Sequence, residues 1–136
     1  MRLNLENDYA YRIILKFTTS PEGKKFRSKD LSEELFIPER FTYRILRKLL
    51  LSGLIDSVRG PRGGYVLAKD PEDITLYDVY ESISGEMIIN HCLDEKTCEF
   101  AKDSSTCIMQ KEMKKIQDVL VNEFKSVNFG DLLEKY

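Results

Sequence analysis

Much of what enzymes and exported proteins need is missing from this chain. Its 136 residues include one histidine, His91, with no serine or acid constellation near it, and no glycine-rich phosphate loop runs into a helix. Nucleophilic, acid–base and nucleotide chemistry have no visible machinery, so an enzyme is not expected. No apolar run approaches the ~18 residues that span a bilayer, and residues 1–8 lack the apolar stretch of a secretory signal. A cytoplasmic protein without a membrane partner is the expectation. Cysteine is scarce: Cys92, Cys98 and Cys107 all fall within 16 consecutive residues. An odd, clustered set fits metal or redox chemistry in a reducing compartment better than an exported disulfide framework. Excess positive charge is also absent, with 21 Lys plus Arg against 23 Asp plus Glu for a net charge of -2. Taken as one number, that disfavours a nucleic-acid binder.

What is present describes a globular chain, 42% hydrophobic and 32% charged, long enough for one domain and an appended element. Leu5, Tyr9, Ile13 and Phe17 recur at helical spacing and predict a first helix over residues 3–17. After a polar loop, Ser28 is placed as the N-cap of a short helix with Leu31 and Leu35 on its inner face. Pro38 is placed as the first residue of a second helix, with Phe41, Ile45, Leu46, Leu49 and Leu50 inward and Gly53 as its stop. Two helices joined by so short a turn form a helix-turn-helix candidate. Beyond Gly53 the period changes to alternation around Arg59-Gly60-Pro61-Arg62-Gly63-Gly64, which predicts a hairpin with a basic tip. A helix capped by Thr75 runs to Ile83, and residues 90–107 read as a loop. Met109, Met113, Ile116, Leu120 and Phe124 predict one long amphipathic helix whose seam needs a partner, with a short helix begun near Asn128. The fold class is therefore mainly α with a small β-hairpin wing: a winged helix-turn-helix over residues 1–85, a cysteine loop over 86–107, and a dimerisation helix with a short C-terminal helix over 108–136.

The net charge conceals a segregation. Residues 1–37 carry +1, residues 38–69 carry +5 and residues 70–136 carry -8. The positive share lies where a duplex would meet the motif, and phosphate neutralisation is what drives non-specific affinity. Arg40, Tyr43, Arg44 and Arg47 share the helix face opposite Phe41, Ile45 and Leu49. Arg40 or Arg44 is suited to a bidentate guanine contact, Tyr43 and Arg47 to phosphates. Arg59 and Arg62 flank a tip small enough for a minor groove, and Ser28 is counted with them as a DNA contact.

The segment from Ser52 to Ala68, with its Val58-Arg59-Gly60-Pro61-Arg62-Gly63-Gly64-Tyr65 core, closely resembles the wing signature of the Rrf-type bacterial winged-helix transcription regulators, the group that holds IscR, NsrR and RirA. The Met1-Arg2-Leu3 opening, the Thr75-to-Val79 stretch and the three-cysteine segment fall where that family has them. The resemblance implies a homodimer on a pseudo-palindromic double-stranded operator, a recognition helix over residues 38–51, Arg59 in the minor groove, and an iron-sulfur cluster of two or four irons. Arg62 departs from the family wing, where glycine is common.

The cysteines read C-x5-C-x8-C, without the paired C-x2-C of a zinc ribbon. The family pattern instead has C-x5-C-x5-C followed by a histidine, so the fourth ligand is open here. Asp8, contributed by the partner subunit as in some nitric-oxide-sensing relatives, is favoured over His91, with Glu6 third. The expected function is a DNA-binding regulator sensing iron-sulfur status, nitric oxide or redox state. The alternatives are a cluster-free regulator of cysteine or sulfur metabolism, a thiol redox switch, or a small iron-sulfur electron-transfer protein.

Overall fold

The computed structural model describes residues 2–94 and 107–136. Helix α1 (Leu5–Thr18) starts two residues later than its apolar period suggests, because the Asn4 side chain accepts the Asn7 N–H and fixes the cap there. Its inner face, Ala10, Ile13, Ile14 and Phe17, lies in the core beside Leu31 of α2 (Ser28–Leu35) and Ile45, Leu46 and Leu49 of α3 (Glu39–Leu51). The turn between α2 and α3 holds three residues. Ile37 is buried, while Phe36 takes a left-handed backbone conformation (φ 54°) with its ring 90% exposed.

Two predicted helix starts are corrected by one residue each. Ser28 is not the cap of α2; Arg27 holds that position without a side-chain cap bond, and the Ser28 Oγ is buried with no partner among the described residues. The cause is long-range. Phe26 exchanges both backbone hydrogen bonds with Tyr65, at 2.9 and 2.7 Å, so the chain enters α2 extended through Arg27. Pro38 likewise precedes α3 rather than opening it: its ψ of 134° is not helical, and its carbonyl accepts the Thr42 N–H at 3.0 Å.

Strands β1 (Ile55–Val58) and β2 (Gly64–Leu67) pair antiparallel, with Ile55 opposite Leu67 and Val58 opposite Gly64. Gly64 is required by the same contact that displaces Ser28. A Cβ there would stand 2.7 Å from the Phe26 carbonyl oxygen, on a backbone with φ of +152°. Gly64→Ala should detach the wing from Phe26 and lower stability by about 1–3 kcal/mol. A urea titration is the measurement, and an unchanged midpoint would contradict this packing.

Helix α4 (Leu76–Ser84) is closed at its start by a capping box between Thr75 and Asp78 and ends at Gly85. Helix α5 (Ile108–Ser126) is long, and α6 (Phe129–Lys135) turns back against α1 and the turn at Pro71–Asp73. Backbone bonds from Leu76 N–H to the Val127 carbonyl and from Phe129 N–H to the Ile74 carbonyl stitch this return, and the Phe129 ring joins the α1–α4 core. The single seam expected on α5 is split. Met113, Leu120 and Phe124 are half-buried, Phe124 lying edge-on to Tyr80 of α4 at 6.3 Å, whereas Ile108, Met109, Ile116 and Val119 stay exposed.

Candidate DNA interface and cysteine segment

Amphipathic α3 buries Thr42, Ile45, Leu46 and Leu49, which turns Arg40, Tyr43, Arg44 and Arg47 to solvent. Arg59 and Arg62 lie in the exposed turn between β1 and β2. That turn is braced by Arg27, whose guanidinium donates to the Pro61 carbonyl. Arg27 thus connects the head of α2 to the wing, a role that no local pattern announces. Ser28 is half-buried and its hydroxyl is not on the open surface, so the side chain is not presented as the expected DNA contact would be.

One of the four α3 side chains is held in an ion pair. Arg44 Nη2 lies 2.6 Å from Oε1 of Glu6 in α1, and Lys48 Nζ lies 2.8 Å from Oε2 of the same carboxylate. The hydrogen bond from Lys48, helped by both positive charges against some burial, holds the Glu6 carboxyl below the usual carboxylate range. Arg40 and Arg44 both lie over the Phe41 ring, at 5.2 and 4.9 Å from its centroid. With both its oxygens engaged by α3, Glu6 is withdrawn from the candidate cluster ligands.

The start of the cysteine segment is built onto α5. Cys92 lies in a short 3-10 turn, His91–Leu93, rather than in irregular loop. Its carbonyl accepts from Gln110 in the first turn of α5 at 2.7 Å, and its Sγ accepts from Asn90 Nδ2 at 3.3 Å. Cys107 is the N-cap residue of α5, so the Gln110 bond draws Cys92 to the helix end that Cys107 begins. Both thiols are half-buried and outside any disulfide. Gln117, buried midway along α5, accepts the Ile89 N–H at 3.0 Å and fixes the approach to this turn. Cys98 lies outside the described residues. Asp8 is exposed and paired with Arg12 at 2.9 Å, and His91 is exposed. Among the described residues of one chain, no three His, Cys, Asp or Glu side chains converge to hold a metal ion. A cluster held at Cys92 and Cys107 would need ligands beyond the described side chains of one chain.

The family model for Rrf2, described as an iron-dependent transcriptional regulator, matches residues 3–135. The chain belongs to the Rrf2 family. Its curated Rrf2 relatives include the HTH-type transcriptional regulator IscR of Escherichia coli, 26% identical over 133 residues that span 98% of this chain and 80% of the relative. Among solved structures, T. potens IscR aligns with a TM-score of 0.78 at 18% identity, covering 99% of this chain and 88% of that one. CymR of B. subtilis, described as its global cysteine regulator, aligns with a TM-score of 0.76 at 20% identity, covering 100% and 98%. At these identities the solved structures establish the winged-helix fold. Rrf2 membership makes the chain a DNA-binding transcription regulator and not an enzyme. No helix among the described residues is long and apolar enough to cross a membrane.

Proposed function

We propose that this Rrf2-family chain binds a pseudo-palindromic operator as a homodimer and that an iron-sulfur cluster on Cys92, Cys98 and Cys107 sets its DNA affinity. The observation that carries the DNA half is the exposed row of Arg40, Tyr43 and Arg47 on α3 beside a wing that presents Arg59 and Arg62. Recognition-helix residues read base edges in the major groove, and a braced basic wing reaches the adjacent minor groove. The exposed side chains of Ile108, Met109, Ile116 and Val119 on α5 supply an apolar face for a second copy. Two-fold symmetry then sets the half-sites about one helical turn apart.

The cluster half is supported by the three clustered cysteines, by the Gln110 bond that brings Cys92 to the head of α5, and by the iron-dependence in the family description. When bound, the cluster would supply a redox- and ligand-responsive centre. The fourth ligand is Asp8 of the partner subunit in this reading, with His91 second. A carboxylate on iron exchanges readily, which suits a sensor. The likeness to CymR raises a cluster-free cysteine regulator as the second reading, and it rests on the fold alone.

A salt series on a short duplex tests the DNA half. The logarithm of the affinity should fall linearly with log salt, by ~0.9 for each phosphate neutralised. Arg59→Ala should weaken operator binding by about 1–3 kcal/mol, roughly 5- to 160-fold. Arg59 is exposed, so its loss should leave the fold intact. Affinity that ignores added salt would sink the DNA interface, and an unchanged Arg59→Ala affinity would remove the wing from it.

A further inference from the structure

We infer that Glu6 withholds Arg44 from DNA, acting as an internal stand-in for a backbone phosphate and thereby as a specificity-determining residue of the interface; the inference rests on the DNA-binding reading above. Among the described residues, Arg40 and Arg47 have no carboxylate within ion-pair distance, so α3 offers them to a duplex unopposed. Arg44, one turn beyond Arg40, already has both an anion and an aromatic face: Glu6 Oε1 at 2.6 Å and the Phe41 ring at 4.9 Å.

The carboxylate is held in place to do this. Asn4 caps α1 two residues earlier, and the Asn7 side chain one residue later donates to the Ser84 Oγ at 2.7 Å, tying that turn to α4. Tyr9 packs edge-on against Phe41 at 6.3 Å. The second Glu6 oxygen is fixed by Lys48, which also donates to the Ile83 carbonyl at 3.2 Å. Glu6 is therefore anchored to α3 and α4 at once, while the Arg44 side chain is still 51% exposed. A guanidinium binds carboxylate and phosphate by the same charge-assisted geometry. A duplex that recruits Arg44 exchanges one anion for another and gains little by it.

The consequence falls on non-specific binding. Any duplex offers phosphates, so each free arginine on α3 raises affinity for every sequence equally. Locking Arg44 internally lowers that background while Arg40 keeps its reach to base edges, and discrimination is the difference between the two affinities.

Fluorescence anisotropy on a labelled duplex of mixed sequence, across a salt series, tests this with the full-length chain, Glu6→Gln, Arg44→Ala and the double variant. Glu6→Gln keeps the shape and removes the charge. It should bind the mixed duplex about 3- to 10-fold more tightly at ~0.1 M salt, with a slope steeper by ~0.9 for each cation released. Arg44→Ala alone should leave the slope unchanged, and in the Glu6→Gln background it should remove the Arg44 share of the gain, ~0.9 in slope, leaving at most what Lys48 contributes. A Glu6→Gln affinity that is unchanged or weaker overturns the inference, as does a shallower slope for Arg44→Ala alone. If the wild-type chain shows no salt-dependent binding, the DNA-binding reading itself fails; a normal wild-type slope with an unresponsive Glu6→Gln removes this inference only.

Discussion

Cys92→Ala, reconstituted with iron and sulfide without oxygen, should lose essentially all of the visible absorption and bound iron that the parent chain acquires. The expectation follows from where Cys92 sits. Its thiol is half-buried in the 3-10 turn, outside any disulfide, and its carbonyl is tied by Gln110 to the first turn of the helix that Cys107 caps. Removing one of three thiolates leaves too few ligands for a cluster that already needs a fourth from elsewhere. The substitution leaves intact the bond from the Gln110 side chain to the residue 92 carbonyl and removes only the 3.3 Å contact from Asn90, so the fold should persist. Far-UV circular dichroism checks that, and iron and sulfide counting gives the result. A Cys92→Ala chain that is folded and carries full iron would refute the three-cysteine ligand set, whereas a parent chain that takes up no iron or sulfide would favour the cluster-free regulator. Loss of absorption with an undisturbed spectrum supports the three-cysteine set. Asp8→Ala then separates the fourth-ligand assignments, since iron bound as firmly as in the parent excludes Asp8.

How far the sequence anticipated the structure depends on the range of the interaction involved. The α3 reading face was legible because helical period places Arg40, Tyr43 and Arg47 opposite Ile45 and Leu49 whatever the rest of the chain does. The fate of Arg44 was not, because its partner Glu6 lies 38 positions away and only tertiary packing of α1 on α3 brings the two together. Ser28 illustrates the same competition in the other direction. Local capping preference assigns it the N-cap, but the Phe26–Tyr65 backbone pair outweighs one side-chain bond and shifts the helix start. The glycine-rich wing announced a hairpin, yet nothing local told that Gly64 makes room for Phe26. On α5 the apolar repeat located a buried seam without saying that α4 takes one edge of it and leaves Ile116 and Val119 open. For the cysteine segment, spacing supplied the candidate thiols, and Gln110 and Gln117 emerged only from the fold.

Phe129→Ala should be the most damaging single core change outside α1 and α3, lowering unfolding free energy by about 3–5 kcal/mol. Phe129 is 2% exposed and packs in the same cluster as Ile13, Ile45 and Val79, although it lies at the far end of the chain. Its N–H bonds the Ile74 carbonyl, Val127 receives the Leu76 N–H, and Gly130 sits so close to Glu72 that a Cβ there would meet its backbone nitrogen at 3.0 Å. The C-terminal end of α5 is thus fixed to the helix-turn-helix core, and its N-terminal half is fixed to the cysteine segment by Gln110 and Gln117. On the proposed reading, a helix anchored at both ends would be the physical connection that carries a change at Cys92 and Cys107 to the DNA-binding elements. If that connection is real, the two regions cannot unfold separately. Urea denaturation followed by circular dichroism should show one transition for the parent chain and one, at much lower urea, for Phe129→Ala. A loss below ~1 kcal/mol would mean that the site collapses around the missing ring. Two resolved transitions in the parent chain would show that α5 and the winged helix are independent units and would overturn the coupling.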